Sequence, residues 1–453
     1  MDTIKKFLQA HFSAVDQCDP YSEACLDEFL HLGPLHYFIP QELGGKSDGS
    51  SSYLDVVEIA SYYSLPLGLT LGITGSLFIL PMVKHAQPGL RDPIVRDFLQ
   101  TATLGGMMIT EPTGGTDIFS LNSHYTPSDD TLLLQGSKCW GGLTGKADHW
   151  LVAARLKRGD KLTKKLNLIY VPLNNPGVQV ETRFDALGLN PIPYGLTRYQ
   201  DTELPSEHLI IPKGKSGLRI IYDTLFRSRL GMPAIATGLC QRLADESQTR
   251  MRERVAFGRS LIDFDQVQYR VNTLQEYASL NKTLRRFTGD WMDGHEDISG
   301  HYTLVNAAKL VCSETMNVAA DSAVQLFASA AFKRNHLVGR AFIDARPFRI
   351  FEGSNDVLDE NTFEVIAARH GRCDRDTLEA EFGVYGLHMP TDIPSTITDL
   401  LPGKHNQRWT VVLGRLIAWI CMQAIWEKTE SADVPRIIGR RIAELAAALP
   451  YLD

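Results

Sequence analysis

The chain has 453 residues and a formal net charge of −7, with 44% hydrophobic and 22% charged residues. These proportions are ordinary for a globular protein, and they exclude a wholly disordered chain, a collagen and a coiled-coil rod. The acidic balance argues against a dedicated nucleic-acid-binding protein, which needs a basic surface, but it leaves room for a local arginine cluster that binds a small anion. At about 150 residues per domain, the length predicts roughly three structural units.

Seven scattered cysteines with no CxxC spacing argue against a disulfide framework and against a structural zinc site, and no metal site is predicted. The first residues include Lys5 and Lys6 but no apolar core or cleavage site, so we expect no secretory signal and a cytoplasmic location. The uncharged run at residues 65–83 contains two prolines and three glycines. We interpret it, and the apolar run at 411–425, as buried helices rather than membrane spans.

The pattern of elements changes twice along the chain. The first hundred residues show helical periodicity, interrupted by the sequence IPQELGG at residues 39–45. From about Leu104 to Pro212, short apolar runs alternate with turn-forming clusters, which predicts an antiparallel sheet. Helical periodicity then returns after Gly217, with a polar joint expected at residues 290–300. The predicted helices cover residues 219–255, 266–286, 302–332, 406–428 and 435–449.

Three segments carry residues suited to chemistry, and each also has a purely structural interpretation. The sequence MITEPTGGTD at residues 108–117 offers backbone N–H groups and hydroxyls to a flat ligand, or forms a plain turn. The sequence RERVAFGR at 252–259 can bind a pyrophosphate, or forms a solvated corner between helices. In the sequence FEGSND at 351–356, Glu352 is either a desolvated base with a raised pKa or an acid at a helix N-terminus.

In this order and on this layout, the segments resemble the acyl-CoA dehydrogenase family from about Leu26 to Arg369. Further matches are the sequences GSKCWGGLTGKADHW at 136–150 and DTELPSEHLII at 201–211. The resemblance implies an α+β, acyl-CoA dehydrogenase-like fold. Its parts are an N-terminal helical domain (1–103), a central antiparallel β-domain (104–214), a C-terminal four-helix bundle (215–370) and a helical extension (371–453).

The resemblance also implies the chemistry of fatty acid metabolism. A base removes the α-proton of an acyl thioester, a hydride passes from Cβ to the flavin of FAD, and electrons leave through an electron-transferring flavoprotein. Glu352 matches the catalytic base, and a homodimer or homotetramer is expected. The positions matched to the cofactor are Met108, Thr110, Thr116, Trp140, Gly142, Arg254, Phe257, Gln325, Gly353 and Ser354; those matched to the substrate are Thr116, Phe226 and Arg229.

The chain departs from the family pattern mainly at the cofactor. Gly142 replaces a residue whose hydroxyl reaches the flavin, and Thr144 is a candidate substitute. Asp265 replaces a glutamine and adds negative charge near the expected pyrophosphate, which predicts weak FAD retention unless it pairs with Arg259 or Arg270. The other departures are Ala328 and Ser329 for two glycines, Ile343 for an arginine and Phe226 for an aspartate.

Three functions therefore remain open. The first is FAD-dependent dehydrogenation of an acyl thioester, on CoA or on a carrier protein. The second is a flavin oxidase or monooxygenase on the same scaffold, against which the retained Glu352 argues. The third is a catalytically silent subunit of a heteromeric dehydrogenase, which the departures favour. The extension at 371–453 has nine basic and eleven acidic residues, so we expect packing or interface structure rather than a DNA-binding tail.

Overall fold

The computed structural model describes residues 1–16, 18, 20–211, 216–393, 406–430 and 432–452. The chain divides into two compact units. The first comprises residues 1–11, 19–57 and 66–228, and the second comprises residues 12–18, 58–65 and 229–453. The expected boundary at residue 214 lies outside the described residues, and the four-part domain division stays a prediction.

The N-terminal part of the first unit is helical, as the periodicity predicts. Helix α2 begins at Ser22, whose hydroxyl accepts a hydrogen bond from the Cys25 N–H, and it buries Leu26, Phe29 and Leu30 on one face. Helix α4 continues through a π-helical turn at Gly75–Ile79 into α5. The helices are α1 (Asp2–Phe12), α2 (Glu23–His31), α3 (Ser50–Tyr63), α4 (Leu65–Thr74), α5 (Leu80–His85) and α6 (Pro88–Gln100).

The central sheet follows these helices, but it is mixed rather than antiparallel, so the prediction is wrong in that respect. Strands β1 and β2 both pair in parallel with β4, whereas the other pairings are antiparallel. Parallel neighbours need long crossovers, which leave no hairpin signal in the sequence. The strands are β1 (Gly105–Met108), β2 (His124–Ser128), β3 (Thr131–Cys139), β4 (His149–Arg158), β5 (Lys161–Pro172), β6 (Val178–Arg183), β7 (Gly195–Pro205) and β8 (Leu209–Ile210).

Within the part of the chain that the structure describes, two helical segments reach the length and hydropathy of a membrane span. They are Leu65–His85, with a mean hydropathy of 1.7, and Gln407–Thr429, with 1.4. In each, 78% of the apolar window is buried inside the chain's own structure. This burial is what a core helix shows, in agreement with the interpretation made from the sequence.

The second unit is a bundle of long helices. Helix α8 extends past its predicted end at residue 286 to Asp293, so the polar joint expected at 290–300 is non-helical from residue 294. Helix α9 ends at Phe327 because Ala328 has a φ of 54°. Buried polar contacts join the helices: the Thr288 hydroxyl donates to the Leu230 carbonyl oxygen at 3.0 Å. Helix α7 (Gly217–Glu253) belongs to this unit from residue 229 onward. The elements that follow are β9 (Val255–Ala256), β10 (Arg259–Ser260), α8 (Asp265–Asp293), α9 (Tyr302–Phe327), α10 (Leu337–Asp344) and α11 (Asn355–His370).

The C-terminal extension packs on the bundle through three helices, α12 (Arg375–Gly383), α13 (Gln407–Thr429) and α14 (Arg436–Ala448). The sequence analysis missed α12, although a capping box of Asp374 and Thr377 marks its start. Glu381 of α12 is fully buried and accepts hydrogen bonds from Thr303 at 2.7 Å and from Arg369 at 2.6 Å. The extension is thereby fastened to both α9 and the end of α11.

Helices α13 and α11 approach each other closely where Gly414 packs against the backbone of Asp359. A methyl group at Gly414 would lie 1.7 Å from the Asp359 carbonyl oxygen, so only glycine allows this approach. The neighbouring Arg415 bonds the Asp359 carboxylate at 2.9 and 2.6 Å and Asp356 at 3.1 Å. Burial raises the pKa of Asp359 to about 7 even though Arg415 opposes the rise.

We therefore expect Gly414→Ala to destabilise the protein by about 1–3 kcal/mol, because the helices must separate to admit the methyl group. The matched control is Gly439→Ala on the exposed face of α14, where nothing lies within 4 Å of an added Cβ. Alanine should stabilise that helix by about 0.5–1 kcal/mol. Urea unfolding of both variants tests this, and equal midpoints for the two would show that the crossing is not close-packed.

Candidate active site

Glu352 lies in a tight turn that precedes α11. Its φ is 55° and that of Gly353 is 95°, so a non-glycine residue occupies the left-handed region. Ser354 is the N-cap of α11, and the acid in the first helical turn is Asp356. The interpretation of Glu352 as a helix-terminal or capping acid is therefore wrong. The residue is half-buried, next to the rings of Phe351 and Phe348, which are tilted by 57° with their centroids 4.8 Å apart.

Helix α9 holds this turn through buried polar side chains. The Lys309 ammonium donates to the Gly353 carbonyl oxygen at 2.8 Å and to the Asn355 Oδ1 at 2.6 Å. The Asn355 amide donates to Glu314 at 3.0 Å, and Glu314 also accepts from Arg349 at 2.7 Å. The chain is thus fastened before, within and after the turn, which is how a strained conformation persists.

A second arginine lies beside the same turn. Arg229 of α7 is 8% exposed, and its Nη1 donates to the Asn306 Oδ1 at 3.3 Å. A methyl group at Gly353 would lie 3.3 Å from the Arg229 Nη2. The structure therefore brings the predicted residues Arg229, Glu352, Gly353 and Ser354 together. Phe226 is fully buried on α7, with its ring 5.7 Å from that of Tyr222.

In the first unit, a buried ion pair fixes the predicted cofactor loop between β1 and β2. The fully buried Lys138 donates to the Glu111 carboxylate at 2.9 Å and to the Ile109 carbonyl oxygen at 2.8 Å. Glu111 also accepts from the N–H groups of Asn122 and Ser123. Burial alone would raise the pKa of Glu111, but Lys138 and these donors outweigh it, so the pKa lies below its usual value.

The residues matched to the cofactor in this loop and after β3 differ in their exposure to solvent. Met108 is buried at the end of β1, Thr110 is half-buried and Thr116 is exposed. The Thr110 carbonyl oxygen accepts from the Cys139 N–H at 2.9 Å. Next to it, Trp140 has a left-handed φ of 60° and is 56% exposed, with its ring 4.6 Å from Phe184. An indole displayed in this way suits stacking on a flat conjugated ligand.

Packing accounts for Gly142, where the chain departs from the family pattern. A Cβ at this position would lie 2.6 Å from the Ile73 Cδ1, so a threonine or serine does not fit without rearrangement. Thr144, the suggested substitute, is fully buried, and its hydroxyl donates to the Gly141 carbonyl oxygen at 2.6 Å. That hydroxyl is therefore committed within the loop.

The predicted pyrophosphate-side residues lie on the surface of the second unit. Arg254 is exposed at the end of α7, and Phe257 is 96% exposed with a φ of 53° at the tip of the β9–β10 hairpin. Gln325 is exposed on α9. Asp265 is the first residue of α8, where a negative charge favours the helix dipole.

The suggested partners of Asp265 make other contacts. Arg259 stacks on the Phe264 ring at 3.7 Å, and Arg270 donates to Ser322 at 3.3 Å. Ala328, which replaces a family glycine, has φ 54° and ψ −134°, a conformation that glycine adopts readily and alanine resists. The substitution at Ala328 therefore stores backbone strain.

The sequence analysis missed the residues that hold both loops: Lys309, Glu314, Lys138 and Glu111. One signal was available, because Lys309 interrupts an otherwise apolar run of the predicted helix at residues 307–312. A charged residue on the buried face of a helix is rarely there without a partner.

Removing one partner of the Lys138–Glu111 pair should destabilise the first unit. Lys138→Met leaves a buried carboxylate without its counter-ion, which typically costs about 3–5 kcal/mol. The double variant Lys138→Met/Glu111→Gln should recover part of the loss. Since the pKa of Glu111 is lowered, the contribution of its carboxylate is complete above the ordinary carboxyl pKa of 4.5 and is lost as the pH falls through the folded value. Burial lowers the pKa of Lys138 to about 8, so the pair is fully charged only between these limits. Thermal unfolding against pH measures both effects, and equal stability of the single variant and the wild type would contradict the account.

Comparisons with known proteins agree with this geometry. The sequence model of the acyl-CoA dehydrogenase middle domain matches residues 106–202, and that of the C-terminal domain matches residues 215–367. The short-chain specific acyl-CoA dehydrogenase of Megasphaera elsdenii is 26% identical over 343 residues, which cover 74% of this chain and 88% of that protein.

Solved structures share the fold. Butyryl-CoA dehydrogenase from Megasphaera elsdenii superposes with a TM-score of 0.71 at 22% identity, covering 79% of this chain and 95% of that one. PigA, solved with FAD and proline, has a TM-score of 0.71 at 20% identity and covers 82% and 97%. Because the two domain models together match more than half of its residues, the chain belongs to the acyl-CoA dehydrogenase family of flavin oxidoreductases.

Proposed function

We propose that this protein catalyses the α,β-dehydrogenation of an acyl thioester, carried by CoA or by a carrier protein, with Glu352 as the α-proton base. The observation that carries this proposal is the held left-handed turn, in which Glu352 is half-buried while Lys309 and Arg229 lie around it. A carboxylate fixed in position and partly desolvated is the group that abstraction of a weakly acidic α-proton requires.

The proposed proton transfer runs from the thioester Cα to the Glu352 carboxylate. As the carbon–hydrogen bond breaks, negative charge develops on the thioester oxygen, and the backbone N–H of Glu352 is the proposed donor to it. The hydrogen bonds from Lys309 to Gly353 and Asn355 would hold the backbone of the turn, and with it the Glu352 N–H and the base of its side chain, in one position. The turn would therefore supply both the base and an electrostatic stabiliser without reorganisation during the reaction.

FAD is the proposed cofactor, and when bound it would accept the hydride from Cβ of the substrate. The exposed indole of Trp140 and the loop of Thr110 and Thr116 are the proposed contacts with the ring. Gly114 of that loop has open space around its Cα, which lets a ligand approach the backbone. These features fit a flat cofactor, as does the structural likeness to PigA, which was solved with FAD.

A catalytically silent subunit remains the second candidate, because three observations weaken the expected cofactor contacts. A hydroxyl-bearing residue at position 142 would require the Ile73 side chain to shift, and the Thr144 hydroxyl is already bonded to Gly141. Strain at Ala328 affects the segment expected near the adenosine. Such a subunit would keep the fold and lose the flavin, whereas a dehydrogenase with these features would hold FAD weakly.

The proposed base is tested by Glu352→Gln, which keeps the size of the side chain but cannot take a proton. We expect bound FAD to be retained and its anaerobic reduction by an acyl thioester to slow by on the order of a thousandfold or more. The matched control is Asp356→Asn, an exposed acid in the first turn of α11, which should leave the rate close to that of the wild type. Reduction of the Gln variant at the wild-type rate would exclude Glu352 as the base.

We further propose a homo-oligomer in which the β9–β10 hairpin reaches a second copy of the chain. The hairpin exposes Phe257 almost completely and Val255 by 65%. Exposure of apolar side chains to water is unfavourable, and burial in an interface would remove it. By the family resemblance, Arg254 is the proposed contact with the FAD of a neighbouring subunit. An electron-transferring flavoprotein is the proposed electron acceptor.

If Arg254 acts across an interface, FAD content and oligomer mass should be coupled. Arg254→Ala should then lower both, whereas Arg252→Ala, which removes an exposed arginine two residues earlier, should change neither. Light scattering after gel filtration gives the mass, and the flavin absorbance gives the occupancy. A monomer with full FAD would contradict the proposal.

A further inference from the structure

Lys309 is an unusual residue, since its side chain is fully buried in the middle of α9. Both of its hydrogen-bond partners, the Gly353 carbonyl and the Asn355 side-chain amide, are neutral oxygens. Burial, and to a lesser degree the charge of Arg229, lower its pKa to about 8. A neutral donor such as glutamine could bond the same carbonyl oxygen without the free-energy cost of burying a charge. A lysine at this position therefore points to a role that uses its charge.

The charged groups around Lys309 come from three other elements. Arg229 on α7 repels it, whereas Glu352 in the turn and Asp359 on α11 attract it, as does the neighbouring Cys312 thiol when ionised. Asp359 already has a close cation, because Arg415 binds it at 2.6 Å. The carboxyl group adjacent in sequence to the carbonyl that Lys309 holds is Glu352.

We propose that Lys309 is a positioning residue with an electrostatic function: it holds the Gly353 carbonyl, and its positive charge keeps Glu352 ionised in a partly desolvated site. This inference rests on Glu352 as the base of the proposed function. Desolvation favours the protonated form of a carboxyl group, which is useless as a base. The Lys309 ammonium group, bonded to the carbonyl oxygen of the residue after Glu352, opposes that effect.

The two roles of Lys309 can be separated by substitution. Lys309→Gln keeps a hydrogen-bond donor for the turn and removes the charge, whereas Lys309→Met removes both. In each, the pH midpoint at which Glu352 becomes protonated should move upward, because a nearby positive charge has been lost; about one pH unit is expected at an effective dielectric constant near 20. Thr303→Val is the control, since it breaks a buried hydrogen bond of α9 to Glu381, away from the turn.

The midpoint is measured without substrate, from the infrared carbonyl band of the protonated acid in each protein, taken as the difference from the same protein carrying Glu352→Gln. An unchanged midpoint in Lys309→Gln would overturn the electrostatic role, and an equal shift in Thr303→Val would show a merely structural effect. In the holoenzyme, the acid limb of flavin reduction should move by the same amount.

Another variant tests the same inference if the lysine-substituted proteins do not fold. Asn355→Asp is isosteric, and it places a carboxylate 2.6 Å from the Lys309 ammonium, which compensates the charge while keeping the lysine. The Glu352 midpoint should again rise, and no change would contradict the inference. A shifted infrared midpoint in a protein that no acyl thioester reduces would refute the proposed dehydrogenase function while leaving the role of Lys309 intact.

Discussion

One set of contacts fixes the proposed site in the second unit: polar side chains of α9, chiefly Lys309 and Glu314, hold the left-handed turn at Glu352 and Gly353. Lys309 and Glu314 are five residues apart on α9; Lys309 donates to the Gly353 carbonyl oxygen and to Asn355, and Glu314 accepts from the Asn355 amide, so the two side chains hold the turn and the first residue of α11. A half-satisfied network in this position would be costly, whereas a complete one is rigid and specifies a single arrangement. Rigidity at this point is what a base needs, because a displacement of about 1 Å already weakens proton transfer severely.

A buried lysine also holds a loop in the first unit. Its loop after β1 is fastened by Lys138, which like Lys309 is fully buried and bonded to a backbone carbonyl. The difference is the second partner: Lys138 contacts the carboxylate of Glu111, whereas Lys309 contacts an amide. The charge of Lys138 is therefore neutralised locally, while that of Lys309 acts on its surroundings. Each unit thus buries a lysine within or against a segment that resembles the family's site, and buried charged groups are frequent in active sites.

Much of this architecture could be predicted from the sequence, because hydrophobic periodicity and turn residues are local signals. The order of helices, sheet and helices is confirmed, and the FEGSND segment indicated Glu352 before its conformation was known. The parallel pairing of β1 and β2 with β4 could not be predicted, since it is set by crossovers rather than by turns. The Gly414 crossing and the partners of Lys309 depend on residues distant in sequence. The sequence shows the departure at Gly142 only as the loss of a hydroxyl, whereas the structure also places it against the Ile73 side chain.

The central claim is that this altered scaffold still performs thioester dehydrogenation with a bound flavin. The most direct measurement is an anaerobic titration of the purified protein with acyl thioesters, on CoA and on a carrier protein, followed by visible absorption. The account predicts an oxidised flavin spectrum that bleaches on addition of a thioester and recovers on addition of an electron acceptor. A colourless protein that takes up no FAD, or a bound flavin that no acyl thioester reduces, would contradict it.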